Sequence, residues 1–178
     1  MRILPYVSTA AEFRAYDPKV AEVAARVGQA IQTIAPELRV EHIGSTSVPG
    51  CAGKGIVDLA VLYPTGHLAR ARAVLDELGF QKQSGPEPFP ESRPMRVGSL
   101  EHEGHSFRFH AHVIALGSEE HQEFVWFREA LLANSELRRG YEERKRAILA
   151  SGITDSLPYC KAKGTFIEDA LKERRFAA

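Results

Sequence analysis

The sequence predicts an α/β (α+β) fold: a mixed β-sheet flanked by helices, followed by a helical C-terminal part. Three observations carry this. A strand pattern from Arg39 to Ile43 is followed, across a Gly-Ser-Thr turn, by a strongly apolar one from Gly55 to Tyr63. Met95 to Leu100 and Phe107 to Leu116 flank a Glu103-Gly104 turn and read as a hairpin. From Ser118 onward the apolar residues recur only at helical spacing. Strands joined partly by a tight turn and partly through helices make a sheet that is mixed.

Each element has a local reason. Asp17-Pro18 reads as an N-cap with proline at the first helical position, and Val20, Val23, Ala24, Val27, Ile31 and Ile34 then lie on one helical face until Pro36. Thr9-Ala10-Ala11-Glu12 has capping-box spacing and predicts a short helical turn before it. Pro64-Thr65-Gly66 opens a second helix through Leu68, Ala71, Val74, Leu75 and Leu78, ended by Gly79. Phe80 to Gln83 begins another strand. Ser84 to Pro94 holds four prolines and one glycine, so it is predicted as an irregular surface loop, able to act as a flap. Ser118 caps a helix through Phe124, Phe127 and Leu131; Ser135 caps the next through Tyr141 and Ile148; a last one follows Pro158. One domain over residues 1–178 is expected, with a sheet-containing core over 1–117 and a helical part over 118–178.

Composition limits the function classes. The chain has 178 residues, 44% hydrophobic and 26% charged, an ordinary globular balance. Lysine plus arginine and aspartate plus glutamate are each 23, so no basic surplus calls for nucleic acid as the main partner. Cys51 and Cys160 form no metal-ligand pattern and point to a reducing compartment. No apolar run approaches the roughly 18 residues of a membrane span. A cytoplasmic protein is expected.

The chemistry concentrates in His42-Ile43-Gly44-Ser45-Thr46-Ser47-Val48-Pro49-Gly50 and Lys54-Gly55-Ile56-Val57-Asp58. A Gly-Ser pair at a strand end lets backbone approach a phosphate closely, and Ser and Thr add hydroxyl donors. An acid on the next strand can hold the accompanying divalent ion. The alternative for Gly44, Ser45 and Thr46 is a tight capping turn, and for Asp58 a salt bridge to a lysine or arginine. His110 and His112 alternate on a strand and share a face; they either join Asp58 around a metal or line a polar cleft as hydrogen-bonded histidines. His102 and His105 read as a solvated turn. Tyr141, Tyr159 and Trp126 read as core aromatics more readily than as base-stacking platforms. The Walker pattern is excluded, because Val48 and Gly55 stand where it needs glycine and Ser or Thr.

Twelve residues separate Ser45 from Asp58, a spacing that resembles the nucleotidyltransferase superfamily. More narrowly, the chain resembles the GrpB family, from about Tyr16 to Leu171. The resemblance rests on His42 to Gly50, Ala52-Gly53-Lys54, Ile56-Val57-Asp58, His110-Ala111-His112-Val113, Phe127-Arg128, Tyr141 with Lys145, and Tyr159 to Lys163 with Phe166-Ile167. A similar domain is found fused to some dephospho-CoA kinases. The resemblance implies a nucleotidyltransferase-like fold that binds a nucleoside triphosphate with Mg²⁺ or Mn²⁺ and transfers a nucleotidyl group to an unknown small-molecule acceptor. Gly44, Ser45, Thr46, Lys54, Arg128, Lys145, Lys161 and Lys163 would meet phosphates. Asp58 would be catalytic and, with His110 and His112, would hold the metal. The general superfamily pattern has a second acid two residues after the first, and here that residue is Ala60. A non-catalytic binder of a nucleotide or phosphorylated metabolite, or a small-molecule enzyme of another reaction type, remain the alternatives.

Overall fold

The computed structural model describes residues 1–177, with side chains through Arg174. Helix α1 (Lys19–Ile34) starts where the sequence predicts. Asp17 Oδ1 accepts from the Lys19 N–H at 2.9 Å, and Pro18 is already helical at φ −62° and ψ −22°. Strand β1 (Arg39–Ile43) leads into one 3₁₀ turn, Ser45–Ser47, then β2 (Ile56–Tyr63) and α2 (Leu68–Leu78). Gly79 ends α2 in the left-handed conformation at φ 99°. Strands β3 (Gln81–Lys82), β4 (Met95–His102) and β5 (His105–Ala115) follow, then α3 (Glu119–Ala133), α4 (Ser135–Ala150) and α5 (Ser156–Ala177).

The sheet order is β1-β2-β5-β4-β3, and β2 with β5 is its parallel pair. That pairing needs a crossover, supplied by α2, β3 and β4. One face of the pair carries Val57, Leu59, Val61, Phe109, Ala111 and Val113, buried against Val23, Val27 and Ile31 of α1 and Ala71, Val74 and Leu75 of α2. On the other face Ile43, Ala60, Leu62 and Ile114 pack beneath Phe124 of α3. Phe127, Leu131, Tyr141 and Ala170 of the C-terminal helices close over Val48 and Cys51. The helical part thus buries the connection between β1 and β2. Among the described residues no helix is long and apolar enough to cross a membrane.

Several local expectations are corrected. No helical turn forms at Thr9 to Glu12, because tertiary partners take the backbone: Ala11 N donates to Thr154 O at 2.9 Å, and Arg14 and Gly53 exchange bonds of 2.7 and 3.0 Å. This segment is an extended strap joining sheet and helices. Asn134, not Ser135, caps α4, its Oδ1 accepting from Glu136 N and Leu137 N at 3.0 Å each. Helix α5 begins two residues before Pro158, which the first turn tolerates. His102 is not a solvated turn residue: it ends β4, is buried, and contacts Arg26 at 2.6 Å and Glu22 at 3.1 Å. The proline-rich loop is irregular as predicted but tethered. Arg96, 2% exposed, bonds Glu91 through both terminal nitrogens at 3.0 Å and Asp76 through Nε at 2.7 Å.

Candidate functional site

Asp58 interrupts an apolar strand, and register decides what it meets. Asp58 lies opposite His110 in the parallel β2 and β5 pair, with Ala60 opposite His112. Because strand side chains alternate, Asp58, His110 and His112 emerge on one face. Asp58 Oδ1 stands 3.6 Å from His110 Nδ1 and 3.8 Å from His112 Nε2. One donor atom from each residue falls within 4.8 Å of the others, a set able to hold a metal ion.

Groups outside the strands orient the rings. Tyr6 of the strap places its hydroxyl 3.2 Å from His110 Nε2, which leaves Nδ1 toward Asp58. Arg93 Nη1 donates to His112 Nδ1 at 3.0 Å and is itself held by Glu120. Guanidinium has no acceptor, so His112 carries its proton on Nε2 in this arrangement. Burial works against the Asp58 carboxylate, but the neighbouring histidines and Lys163 outweigh it and hold its pKa at about 2. Burial lowers His110 to about 4, against the pull of Asp58, so its ring is neutral at ordinary pH. An ionised carboxylate and a neutral imidazole are the forms that ligate metals.

Gly44 is demanded twice. Its φ is +72°, and a Cβ there would sit 2.6 Å from Asp58 Oδ2. The close approach that this glycine permits is to the acid. Ser45 Oγ and Lys145 Nζ converge on Gly53, 3.0 and 3.1 Å from where a Cβ would stand. Thr46 is buried, and its hydroxyl donates to Ile56 O at 3.0 Å. That hydroxyl therefore accepts from His42 Nε2–H at 3.0 Å, tying β1 to the turn. Burial pushes His42 down to about 4, with Asp58 opposing and Arg128 adding to the fall.

The basic candidates separate into two groups. Lys163 is linked to Asp58 through charge: the Tyr141 hydroxyl does most to raise its pKa, burial opposes, and Asp58 adds to the rise. Lys54 lies 4.7 Å above the Tyr159 ring and 3.4 Å from Ser156 Oγ; burial lowers its pKa, Asp58 opposes, and Lys163 adds to the fall. Lys145 is 1% exposed and bonds Ala52 O, while Glu142, one turn earlier on α4, accepts from Ala52 N at 3.0 Å. Together they clamp the loop after the turn. Arg128 donates to His42 O at 3.1 Å and lies 3.7 Å from Glu41. Lys161 points outward to Glu87 at 2.9 Å. Tyr141 and Tyr159 are core residues, 2% and 1% exposed. A groove of about 720 Å³ runs between α1 and β1, and none of Asp58, His110 or His112 lines it.

Sequence reasoning passed over Tyr6 and Arg93. Both lie in segments without regular structure, where no period marks which side chain turns inward. The only signal was composition: an aromatic in a strap and an arginine among prolines.

Comparison with known proteins places this geometry. The model of the GrpB protein family matches residues 10–173. A UPF0157 protein of Pseudomonas aeruginosa is 33% identical over 151 residues, covering 83% of this chain and 60% of that protein. A UPF0157 protein of Streptomyces coelicolor is 33% identical over 167 residues, covering 92% and 83%. The chain therefore spans about 60% of the length of the first relative and most of the second. The crystal structure of the conserved protein GrpB from Enterococcus faecalis aligns with TM-score 0.68 and 22% identity, over 92% of this chain and 99% of that one. A structure of Cid1, described for its RNA terminal uridylyl transferase activity, aligns with TM-score 0.53 and 16% identity, over 76% of this chain and 45% of that one. At such identities the likeness establishes a nucleotidyltransferase-like fold and no activity. With a family match over nearly the whole length and relatives at one third identity, the chain belongs to the GrpB family.

Proposed function

We propose that this chain binds a nucleoside triphosphate with a divalent ion on the Asp58 face of the sheet, and transfers a nucleotidyl group from it to a small-molecule acceptor. The observation that carries the reading is Asp58, ionised, pressed against Gly44 at the end of β1 and sharing its surroundings with His110, His112 and Lys163. Mg²⁺ or Mn²⁺ is the ion expected from the sequence, and a bound divalent ion offsets charge on phosphate oxygens. Asp58 supplies an anionic ligand that stays ionised. Lys163 and Lys54 supply positive charge for phosphates, and the Ser45 hydroxyl a donor at the turn. Lys145, Glu142 and Arg128 act as positioning residues, since their polar atoms hold Ala52 and His42. Rate enhancement would come from positioning and electrostatics. Balanced net charge favours a small acceptor over nucleic acid.

Ala60 favours a second reading. It occupies the position of the missing acid, is 0% exposed, and is covered by Phe124, so no ligand group is available there. A protein that keeps the phosphate and metal groups without the second acid is a binder of nucleotides or phosphorylated metabolites. Calorimetric titration with the four nucleoside triphosphates, with MgCl₂ or MnCl₂ present, tests both. Binding of at least one, weakened roughly tenfold or more in Asp58→Asn and Lys163→Ala, is expected. Pyrophosphate release in the presence of small-molecule extract identifies the transferase, and binding without release identifies the binder. No binding of any nucleotide overturns the transferase and the nucleotide binder, and leaves a phosphorylated metabolite as the ligand.

A further inference from the structure

We infer that Asp58, His110 and His112 hold a single transition-metal ion of the imidazole-binding class, Zn²⁺ foremost, in place of the Mg²⁺ pair that a nucleotidyltransferase-like fold implies. The inference replaces the ion expected in the reading above and rests on that reading only for the ion's role beside a phosphate.

The residues present do not fit a Mg²⁺ pair. Two-metal phosphoryl transfer needs carboxylates enough to bridge two ions, and Mg²⁺ takes oxygen ligands in octahedral array. Here the second-acid position is Ala60. The acid nearest to it in the sheet is Glu41, its register partner on β1. Glu41 is already committed: Arg39 stands at 2.8 Å, His121 at 3.4 Å and Arg128 at 3.7 Å. What remains is one carboxylate and two imidazoles. Imidazole nitrogen suits Zn²⁺, Fe²⁺ and Ni²⁺, and affinity for such a set rises from Mn²⁺ through Co²⁺.

The spacing agrees with this choice. Donors bound at about 2.1 Å in a tetrahedral array stand roughly 3.4 Å apart, against about 3.0 Å for neighbouring octahedral sites. The observed separations from Asp58 Oδ1 are 3.6 and 3.8 Å. Three protein donors leave a fourth position open to a water or a phosphate oxygen. The support around His110 is also the kind a metal-bound histidine uses: Tyr6 Oη stands at the far nitrogen of His110 and can accept its N–H, which leaves Nδ1 free to ligate.

Arg93 adds a condition. Its donation to His112 Nδ1 keeps that ring's proton on Nε2, the atom nearer Asp58. Coordination through Nε2 requires the Nδ1–H tautomer, and a guanidinium cannot accept from it. The Arg93 contact must open for the ion to be held by all three residues. A glutamine at this position can turn its amide oxygen to Nδ1–H.

The test uses the chelator-dialysed full chain and metal ions alone, without nucleotide. Calorimetry is expected to give one Zn²⁺ per chain, Co²⁺ next, Mn²⁺ weaker, and no Mg²⁺ binding at about 100 times the concentration that saturates Zn²⁺. Co²⁺ is expected to show visible d–d absorption. His110→Ala and His112→Ala should each lower Zn²⁺ affinity by roughly 10- to 100-fold or more, with His110→Asn and far-UV circular dichroism confirming that the fold survives. Arg93→Gln should tighten Zn²⁺. Mg²⁺ binding as tight as Zn²⁺, or Co²⁺ absorption unchanged in the double histidine variant, overturns the assignment. Unchanged or weaker Zn²⁺ binding in Arg93→Gln overturns ligation through His112 Nε2. Because no nucleotide is present, failure of nucleotide binding leaves this result standing and removes only the proposed function.

Discussion

On the α1 and α2 side of the sheet, β2 and β5 present Val57, Leu59, Val61, Phe109, Ala111 and Val113, each at most 1% exposed. On the other side, between those same residues, stand Asp58 and Ala60, His110 and His112. The first face loses water completely and supplies hydrophobic stabilisation. The second retains three polar groups that cost free energy to desolvate and return little packing. A period of two lets one strand pair serve both ends, so substitutions one residue apart should have effects of different kinds.

Leu59→Ala should be the most damaging to stability, by about 2–5 kcal/mol in urea unfolding, because it opens a cavity in the closed face. Asp58→Asn, its neighbour, should cost no more than about 2 kcal/mol yet abolish metal binding. If the two variants lost stability equally, the division between the faces would be wrong. Gly44→Ala comes next, at about 1–3 kcal/mol, because an L-residue is strained at φ +72° and its Cβ meets Asp58 Oδ2 at 2.6 Å. It should also weaken Zn²⁺ binding by displacing the carboxylate, and intact binding would show that the turn does not support the acid.

The polar face should also make stability depend on pH. His42 has a folded pKa of about 4 against 6.5 for the free group, so between these values the unfolded chain binds a proton that the native state does not. This ring should therefore cost stability on acidification from about pH 6.5 to 4, by up to about 3 kcal/mol, its own contribution levelling off below. Asp58 adds a further loss between 3.8 and about 2, as its depressed pKa requires. His110, lowered to about 4 by burial, titrates over the same window, so His42→Gln should remove roughly half of the upper slope; an unchanged slope there would leave the effect with His110 alone. The smallest expected change separates two lysines on α5. Lys161→Ala should alter neither stability beyond about 0.5 kcal/mol nor nucleotide affinity, since its partner is the exposed Glu87. Lys163→Ala should weaken nucleotide binding, and equal effects of the two would remove Lys163 from the phosphate group.

Much of this division was legible in the chain. A nearly continuous apolar run marked β2, and the one aspartate interrupting it stood out because a buried charge must be paired. His110 and His112 shared a face because strand side chains alternate. The partner of β2 was not legible, since a parallel strand across a long crossover leaves no local mark. The basic residues were ambiguous because a lysine that clamps a carbonyl, such as Lys145, reads like one that meets a phosphate. The capping-box spacing at Thr9 was a true local preference, outweighed by backbone bonds to Gly53 and Thr154. Periodicity could not mark Tyr6 and Arg93, because a side chain in an irregular segment gains its direction only from what it packs against.

By itself, the sequence determined the helices, the strands, their faces and the glycine turn, because periodicity, capping and backbone freedom act over a few residues. Only the tertiary structure decided that Asp58 faces His110, that Gly44 makes room for the acid, and that Arg128 and Lys145 bond main-chain carbonyls while Lys161 pairs with Glu87. Those outcomes depend on strand register and helix docking between distant segments, where no short-range rule selects the partner.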